Sequence, residues 1–255
     1  MKDAASVGWF FASLFVAACF VGLWQLVASY EIVAPVFLPG PDRTFAALFN
    51  GLLNGTLLAN LFSTLEHVFF GWFLASLVGI GLGCVIGTSS IARVYVAPTL
   101  ELFRPLPASA LIPVAIGFLG LSQSMVLFVI GFGALWPMLL ATIHGISSVE
   151  PRLHEVGQIL KLSRMQFVLK VALPSAMPDI LSGMRLSLTV ALILAVVAEM
   201  LSGQEGLGLW ILLAGRSFRA PDLFAGVILL GFVGFLTATL LSKFERRALR
   251  WRALS

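Results

Sequence analysis

The sequence predicts an all-α membrane protein with six transmembrane helices, and three observations carry that expectation. Of 255 residues, 59% are hydrophobic and only 11% are charged, with a mean hydropathy of +1.02. A soluble domain carries about 25% charged residues, so much of this surface must face lipid. Uncharged stretches run to about twenty residues, the length that crosses a hydrocarbon core. The alternating ten-residue segments of a barrel are missing, whereas a helix pairs all its backbone amides within one segment.

The expected spans are 8–29, 61–87, 98–120, 124–146, 180–201 and 222–242. The first has a long apolar part and no clear small-x-small site after it, so it reads as a retained span and not a cleaved signal. Between the first two spans, "FLPGPDRTFAALFNGLL" opens with helix-breaking proline and glycine. It then fits a short amphipathic surface helix from Asp42. The second span contains "GIGLGCVIG", in which Gly79, Gly83 and Gly87 share one helix face. Small residues at that spacing let two membrane helices approach closely. The segment is no dinucleotide loop, because no strand precedes it and the spacing differs from GxGxxG. Glu66 and His67 are expected near the outer end of this span, as snorkelling or capping residues.

The third span contains "FRPLPASALIPVAIGFLG". Pro105, Pro107 and Pro113 each remove a backbone donor. Broken helices at membrane depth line enclosed cavities or substrate paths, and a packing kink explains the prolines equally well. Cys19 and Cys84 both lie in apolar segments and act as small fillers, with no disulfide implied.

Lysine and arginine placement sets the orientation. With the N-terminus inside, eleven basic residues lie in cytoplasmic segments (Lys2, Arg93, Arg152, Lys161, Arg164, Lys170, Lys243, Arg246, Arg247, Arg250, Arg252) and three outside (Arg43, Arg216, Arg219). Both termini are therefore expected in the cytoplasm. The net charge of +4 reflects these loops and not nucleic-acid binding.

Residues 147–178 break the apolar pattern. Pro151 suits a first helical turn, and Leu153, Val156 and Leu160 form one apolar stripe. Ser163 and Gln166 fit a capping box opening a second helix, which should stop before Pro174. The expectation is two short helices, roughly 151–161 and 164–172, each too short to stand alone in water.

This stretch resembles the cytoplasmic "EAA" loop of ABC-importer permeases. Glu155 takes the glutamate position, and Val171, Leu173 and Pro174 take the I-x-L-P positions. "PDILSGMRLSL", "AEMLSGQEGLGLWI", "FLPGPDRTFAALF" and "FRPLPASALIPVAIGFLGLSQ" resemble the branch that imports nitrate, taurine and alkanesulfonates. The similarity runs from about residue 20 to 247. It implies a type I ABC-importer permease fold: residues 1–255 form a single permease domain, with the first span at 8–29, a five-helix core at 61–242 and a coupling loop at 147–178. It implies coupling through Leu153, Glu155, Val156, Gly157, Leu160, Lys161, Ser163, Leu173 and Pro174. It further implies a separate ATP-binding cassette subunit holding ATP and Mg, a substrate-binding protein, a second permease chain in a homo- or heterodimer, and no cofactor in this chain.

Three positions depart from the pattern. Val156 and Gly157 stand where the family has alanines, and Lys161 where it has glycine. An adapted partner with an acid facing Lys161, weak coupling, or membership of an unequal pair would each account for them.

No G-x-x-x-x-G-K-[ST] loop is present, so ATP is not bound in that way. His67, His144 and His154 lack metal-ligand spacing, and neither H-E-x-x-H nor G-x-S-x-G occurs. An enzyme is therefore not expected. Ionisable groups at membrane depth mark candidate path residues: Glu101 and Arg104 as an i, i+3 pair, Glu199 beside a glycine-rich outer loop, and Ser109 near the break. Glu199 fits gating, contact with a binding protein, or structural bonding to its loop. Arg185 is expected to meet headgroups or the inside loop. A stand-alone secondary transporter or channel is the alternative. It predicts mid-span acids and an internal repeat, and neither stands out here.

Overall fold

Lipid offers the backbone no hydrogen-bond partners, so a chain this apolar satisfies its amides inside helices. The computed structural model describes residues 2–103 and 105–250, with side chains from residue 12 onward except those of Ala97 and Glu101. The described residues form eleven α-helices: α1 (Lys2–Ser29), α2 (Pro41–Leu53), α3 (Thr56–Gly87), α4 (Ser90–Phe103), α5 (Ile112–Leu119), α6 (Gln123–Ser147), α7 (Pro151–Ile159), α8 (Arg164–Phe167), α9 (Leu173–Ser202), α10 (Leu207–Arg216) and α11 (Ala220–Ala248). Among the described residues, five stretches are long and apolar enough to cross a membrane: Ala12–Ser29, Thr56–Gly87, Gln123–Ser147, Arg164–Ser202 and Ala220–Ala248.

The expected third span is not one helix. Residues 98–120 fall into the end of α4, a turn, a 3₁₀ segment (Ala108–Leu111) and α5. The cause is local. Pro105 and Pro107 lack amides, and Pro107 itself is extended, with φ −68° and ψ 117°. Helix resumes only where Pro113 sits in the first turn of α5, a position that needs no amide.

A second correction concerns the helix expected to end before Pro174. It continues. Residues Val168–Ala172 form a π-helical turn, and α8, this turn and α9 run without interruption from Arg164 to Ser202. Inside a regular α-helix, the Pro174 ring would collide with the carbonyl four residues back. Widening the turn to an i→i+5 pattern removes that conflict.

By its contacts the chain divides into two compact units, residues 1–61 with 210–231, and residues 62–209 with 232–255. In the first, the Trp24 indole donates to the Pro39 carbonyl at 2.9 Å. The Trp24 ring packs on Phe224 at 5.9 Å. The α2 helix starts at Pro41, one residue before the expected Asp42, and Thr44 Oγ1 donates to Gly40 O at 3.0 Å.

The second unit holds the main core. Val68 and Ala75 of α3, Ile112 and Ala115 of α5, Met125, Val126, Val129, Ile130 and Ala134 of α6, and Ala191, Leu194, Ala195 and Ala198 of α9 make one buried cluster. Its buried α9 residues are mostly alanine. Membrane helices gain little from burying grease, because lipid is equally apolar, and associate through close packing and interhelical hydrogen bonds. Here Ser187 Oγ donates to Ala134 O at 2.6 Å and Trp72 Nε1 to Met184 O at 3.1 Å. Along α3, a Cβ added at Gly79, Gly83 or Gly87 would lie under 3.0 Å from the side chains of Met138, Thr142 and Ile146 of α6 respectively. The stripe is the α3–α6 contact. Phe15, Phe118 and Phe235 point outward, as lipid-facing side chains do.

Candidate coupling site and buried carboxylate

Two places gather the chemistry-bearing residues, one at each end of the continuous Arg164–Ser202 helix.

At its start, Glu150 and Pro151 open α7, and the helix closes on a Schellman turn. Leu162 N donates to Gly157 O at 3.0 Å and Lys161 N to Gln158 O at 2.9 Å. Lys161 occupies the left-handed position with φ +49°. That conformation favours glycine, which gives a physical reason for the glycine the family pattern places there. Lys161→Gly is expected to stabilise this turn by about 0.5–1 kcal/mol, the αL penalty less glycine's greater unfolded entropy. Slower hydrogen exchange at the amides of residues 161 and 162 would register it.

Ser163 then caps α8. Its side chain accepts from Gln166 N at 3.2 Å, and Gln166 Oε1 accepts from Ser163 N at 2.9 Å. This is the expected capping box. The two arms are pinned together at Phe167. The His154 ring lies 4.6 Å from the Phe167 ring, and a Cβ on Gly157 would come 2.7 Å from Phe167 Cδ2. Only a residue without a side chain fits there undisturbed, so the position where the family has alanine is glycine for a reason internal to this fold. Leu153 and Leu173 are half-buried against Ile146, Val149 and Ala172. Glu155 and Pro174 are exposed. Val156, Ile159 and Leu160 are 47%, 79% and 63% exposed. The α7 stripe is thus split: Leu153 packs inward, while Val156 and Leu160, joined by Ile159, face out. A groove of about 690 Å³ runs beside them, lined by residues that include Ser89, His154, Arg164 and Phe167.

At the other end, Glu199 is 0% exposed. Its Oε2 accepts from Thr64 Oγ1 at 3.0 Å and from Gly208 N at 2.9 Å, and its Oε1 lies 3.0 Å from His67 Nδ1. A carboxylate only accepts, so this pairing puts the hydrogen on Nδ1. Thr64 Oγ1 accepts in turn from Leu207 N at 2.8 Å. The carboxylate therefore sits against the first turn of α10, where free amides and the helix dipole favour negative charge. Gly206 and Gly208 leave it room, since a Cβ on either would meet the Glu199 side chain. Of the readings open to Glu199, structural bonding to its loop describes these contacts.

His67 is a correction. It is buried and bonded, not a snorkelling group, because α3 begins at Thr56, three turns before it. Glu66 stays nearer the surface, with Gln123 Nε2 3.5 Å from its Oε1. Ser109 is exposed in the 3₁₀ segment. The Glu101 side chain and Arg104 lie outside the described residues.

A profile described as "Binding-protein-dependent transport system inner membrane component" matches residues 75–250. The chain belongs to this family. It is an inner-membrane transport component and not an enzyme. As a family member it is 31% identical to SsuC of Bacillus subtilis (strain 168), named for aliphatic sulfonates transport, across 96% of this chain and 88% of that one. It is 29% identical to the taurine transport system permease protein TauC of Escherichia coli (strain K12), across 92% and 87%. It is also 31% identical to the nitrate import permease protein NrtB of Synechocystis sp., across 84% and 80%. Among solved structures, the inward-facing MetNI methionine ABC transporter matches with a TM-score of 0.67 at 18% identity, covering 75% of this chain and 95% of that one. An amino acid ABC transporter matches with 0.61 at 19%, covering 78% and 98%. These structures share the fold.

Proposed function

We propose that this chain is the permease subunit of an ATP-driven importer, forming the path for a small organic solute of the sulfonate, nitrate or heterocyclic class. The family match runs across residues of both compact units, which supports reading residues 1–255 as one permease domain. In this reading the broken α4–α5 segment supplies the sixth crossing and both termini are cytoplasmic. A soluble binding protein delivers the solute outside, and a second permease chain completes the path. ATP and magnesium are held by a separate cassette ATPase, because this chain has no phosphate loop of its own.

The observation that carries the reading is the outward stripe of α7 mounted on the foot of a very long helix. Arg164–Ser202 has 39 residues, about 58 Å at 1.5 Å per residue, against a hydrocarbon core of about 30 Å. The excess projects beyond the bilayer as a rigid foot, and α7 is locked to it through Phe167. A motor that grips Val156, Ile159 and Leu160, with Glu155 beside them, moves the whole rod. Leu153, Gly157, Lys161, Ser163, Leu173 and Pro174 keep the foot's shape.

The test is co-purification with ATP-driven uptake in proteoliposomes. The wild-type chain is expected to retain its ATPase subunit, and Glu155→Arg to release most of it and cut uptake at least tenfold. Solute movement by the isolated chain without ATP would instead establish a stand-alone transporter.

A further inference from the structure

The inner part of α11 carries a stripe that the transport reading does not use. Phe235, Ala238, Thr239, Ser242, Lys243 and Arg246 line one groove of about 360 Å³, together with Arg185 of α9. Their spacing is i, i+3, i+4, i+7, i+8 and i+11, a single helix face. Polarity changes steadily along it. The groove begins with a phenyl ring and a methyl group, passes two hydroxyls, and ends at an ammonium and a guanidinium. From Phe235 to Arg246 the rise is about 16 Å, enough to run from acyl chain to headgroup in one leaflet.

Charge completes the match. Arg185 is ion-paired with Glu245 of α11, which fixes its guanidinium at the groove edge, and it remains partly exposed. A guanidinium has five N–H donors and one carboxylate cannot occupy them all. Three cations against one carboxylate leave a net charge of about +2 at the polar end. Lys243 and Arg246 are exposed, and none of the described residues lining the groove is acidic.

We infer that this groove binds the phosphodiester headgroup of an anionic phospholipid. Arg185, Lys243 and Arg246 hold the phosphate, Thr239 and Ser242 meet the ester region, and Phe235 and Ala238 contact the acyl chain. Basic pockets between transmembrane helices on the cytoplasmic side are suited to such headgroups. The inference requires only that α9 and α11 cross the bilayer, so it stands independently of the solute or the motor.

The experiment is native mass spectrometry on the intact transporter, delipidated in detergent and then mixed with phosphatidylglycerol or phosphatidylcholine micelles. Wild type is expected to keep one phosphatidylglycerol per copy of this chain and little phosphatidylcholine. Each surface cation contributes about fivefold to attraction for an anionic lipid, so Lys243→Ala with Arg246→Ala should weaken retention about 25-fold. Arg247→Ala, one residue round the helix from Arg246, should leave it unchanged. The swap Lys243→Arg with Arg246→Lys keeps the charge and should keep the lipid, which guards against misfolding of the alanine pair. Equal retention by the alanine pair, equal occupancy by phosphatidylcholine, or loss to the Arg247 change would overturn the site. Displacement by inorganic phosphate alone would reassign it to a soluble anion, and occupancy by a protein subunit in place of lipid would also refute it.

Discussion

Glu199→Ala lowers the stability of the folded chain by about 3 kcal/mol. The carboxylate is wholly buried and is met by Thr64 Oγ1, His67 Nδ1 and Gly208 N. Alanine strands two N–H donors in a space too dry to rehydrate them, at about 1–3 kcal/mol each, and leaves a void where the side chain was. Partial relaxation and re-pairing of the Thr64 hydroxyl reduce the sum. Glu199→Gln keeps the volume and one carbonyl oxygen, so it should lose roughly half as much. Thermal unfolding in detergent reads the effect. Because Thr64 and Glu199 share one network, adding Thr64→Ala to Glu199→Ala should cost much less than Thr64→Ala alone. A melting midpoint for Glu199→Ala within a degree of wild type would show that the network holds nothing together.

Gly83→Leu should be comparably damaging, for the opposite reason. A Cβ at residue 83 already lies 2.5 Å and 2.7 Å from Thr142 carbons and 3.2 Å from the Leu139 carbonyl oxygen. Backbone cannot step aside as a side-chain tip can, so α3 and α6 must separate. Overpacking of this kind costs about 1–3 kcal/mol and sometimes more. Leucine adds three further carbons beyond the clash, so the upper end is expected. Gly81 is the internal control: two residues away on the same helix, an added Cβ there meets nothing within 4 Å. Gly81→Leu should melt like wild type while Gly83→Leu elutes as aggregate or melts far lower. Equal behaviour of the two would remove the case for a glycine seam.

What the sequence made legible follows a physical divide. Hydrophobic runs report on which segments face lipid, so five of the six expected spans reappear as long helices with shifted ends. Spacing reports on local geometry, so the Gly79–Gly83–Gly87 stripe and the Ser163–Gln166 box are visible in one dimension. The third expected span is not one helix, because hydropathy locates an apolar stretch while the missing amides of Pro105 and Pro107 decide where helix can run within it. At Pro174 the error runs the other way: the proline predicts a stop, and a wide turn carries the helix through. The Glu199 partners were hidden for another reason. Thr64 and His67 stand about 135 residues away in the chain, and only tertiary contact brings them to it. A signal did exist: they sit at i and i+3 on α3, one face with polar groups in an otherwise apolar helix. Gly157 read as a departure from a family pattern, and only the Phe167 ring beside it explains the missing methyl.

The wide turn at Val168–Ala172 also sets a rule for how this region tolerates change in length. One surplus residue in a helix shifts everything beyond it by about 100° of azimuth. Removing a single residue there would shorten the rod hardly at all, yet it would swing Phe167 and the attached α7 to a different side of the axis. One codon gained or lost here therefore re-aims α7 about the helix axis, while α9 beyond the turn and the Glu199 network at its far end stay where they are.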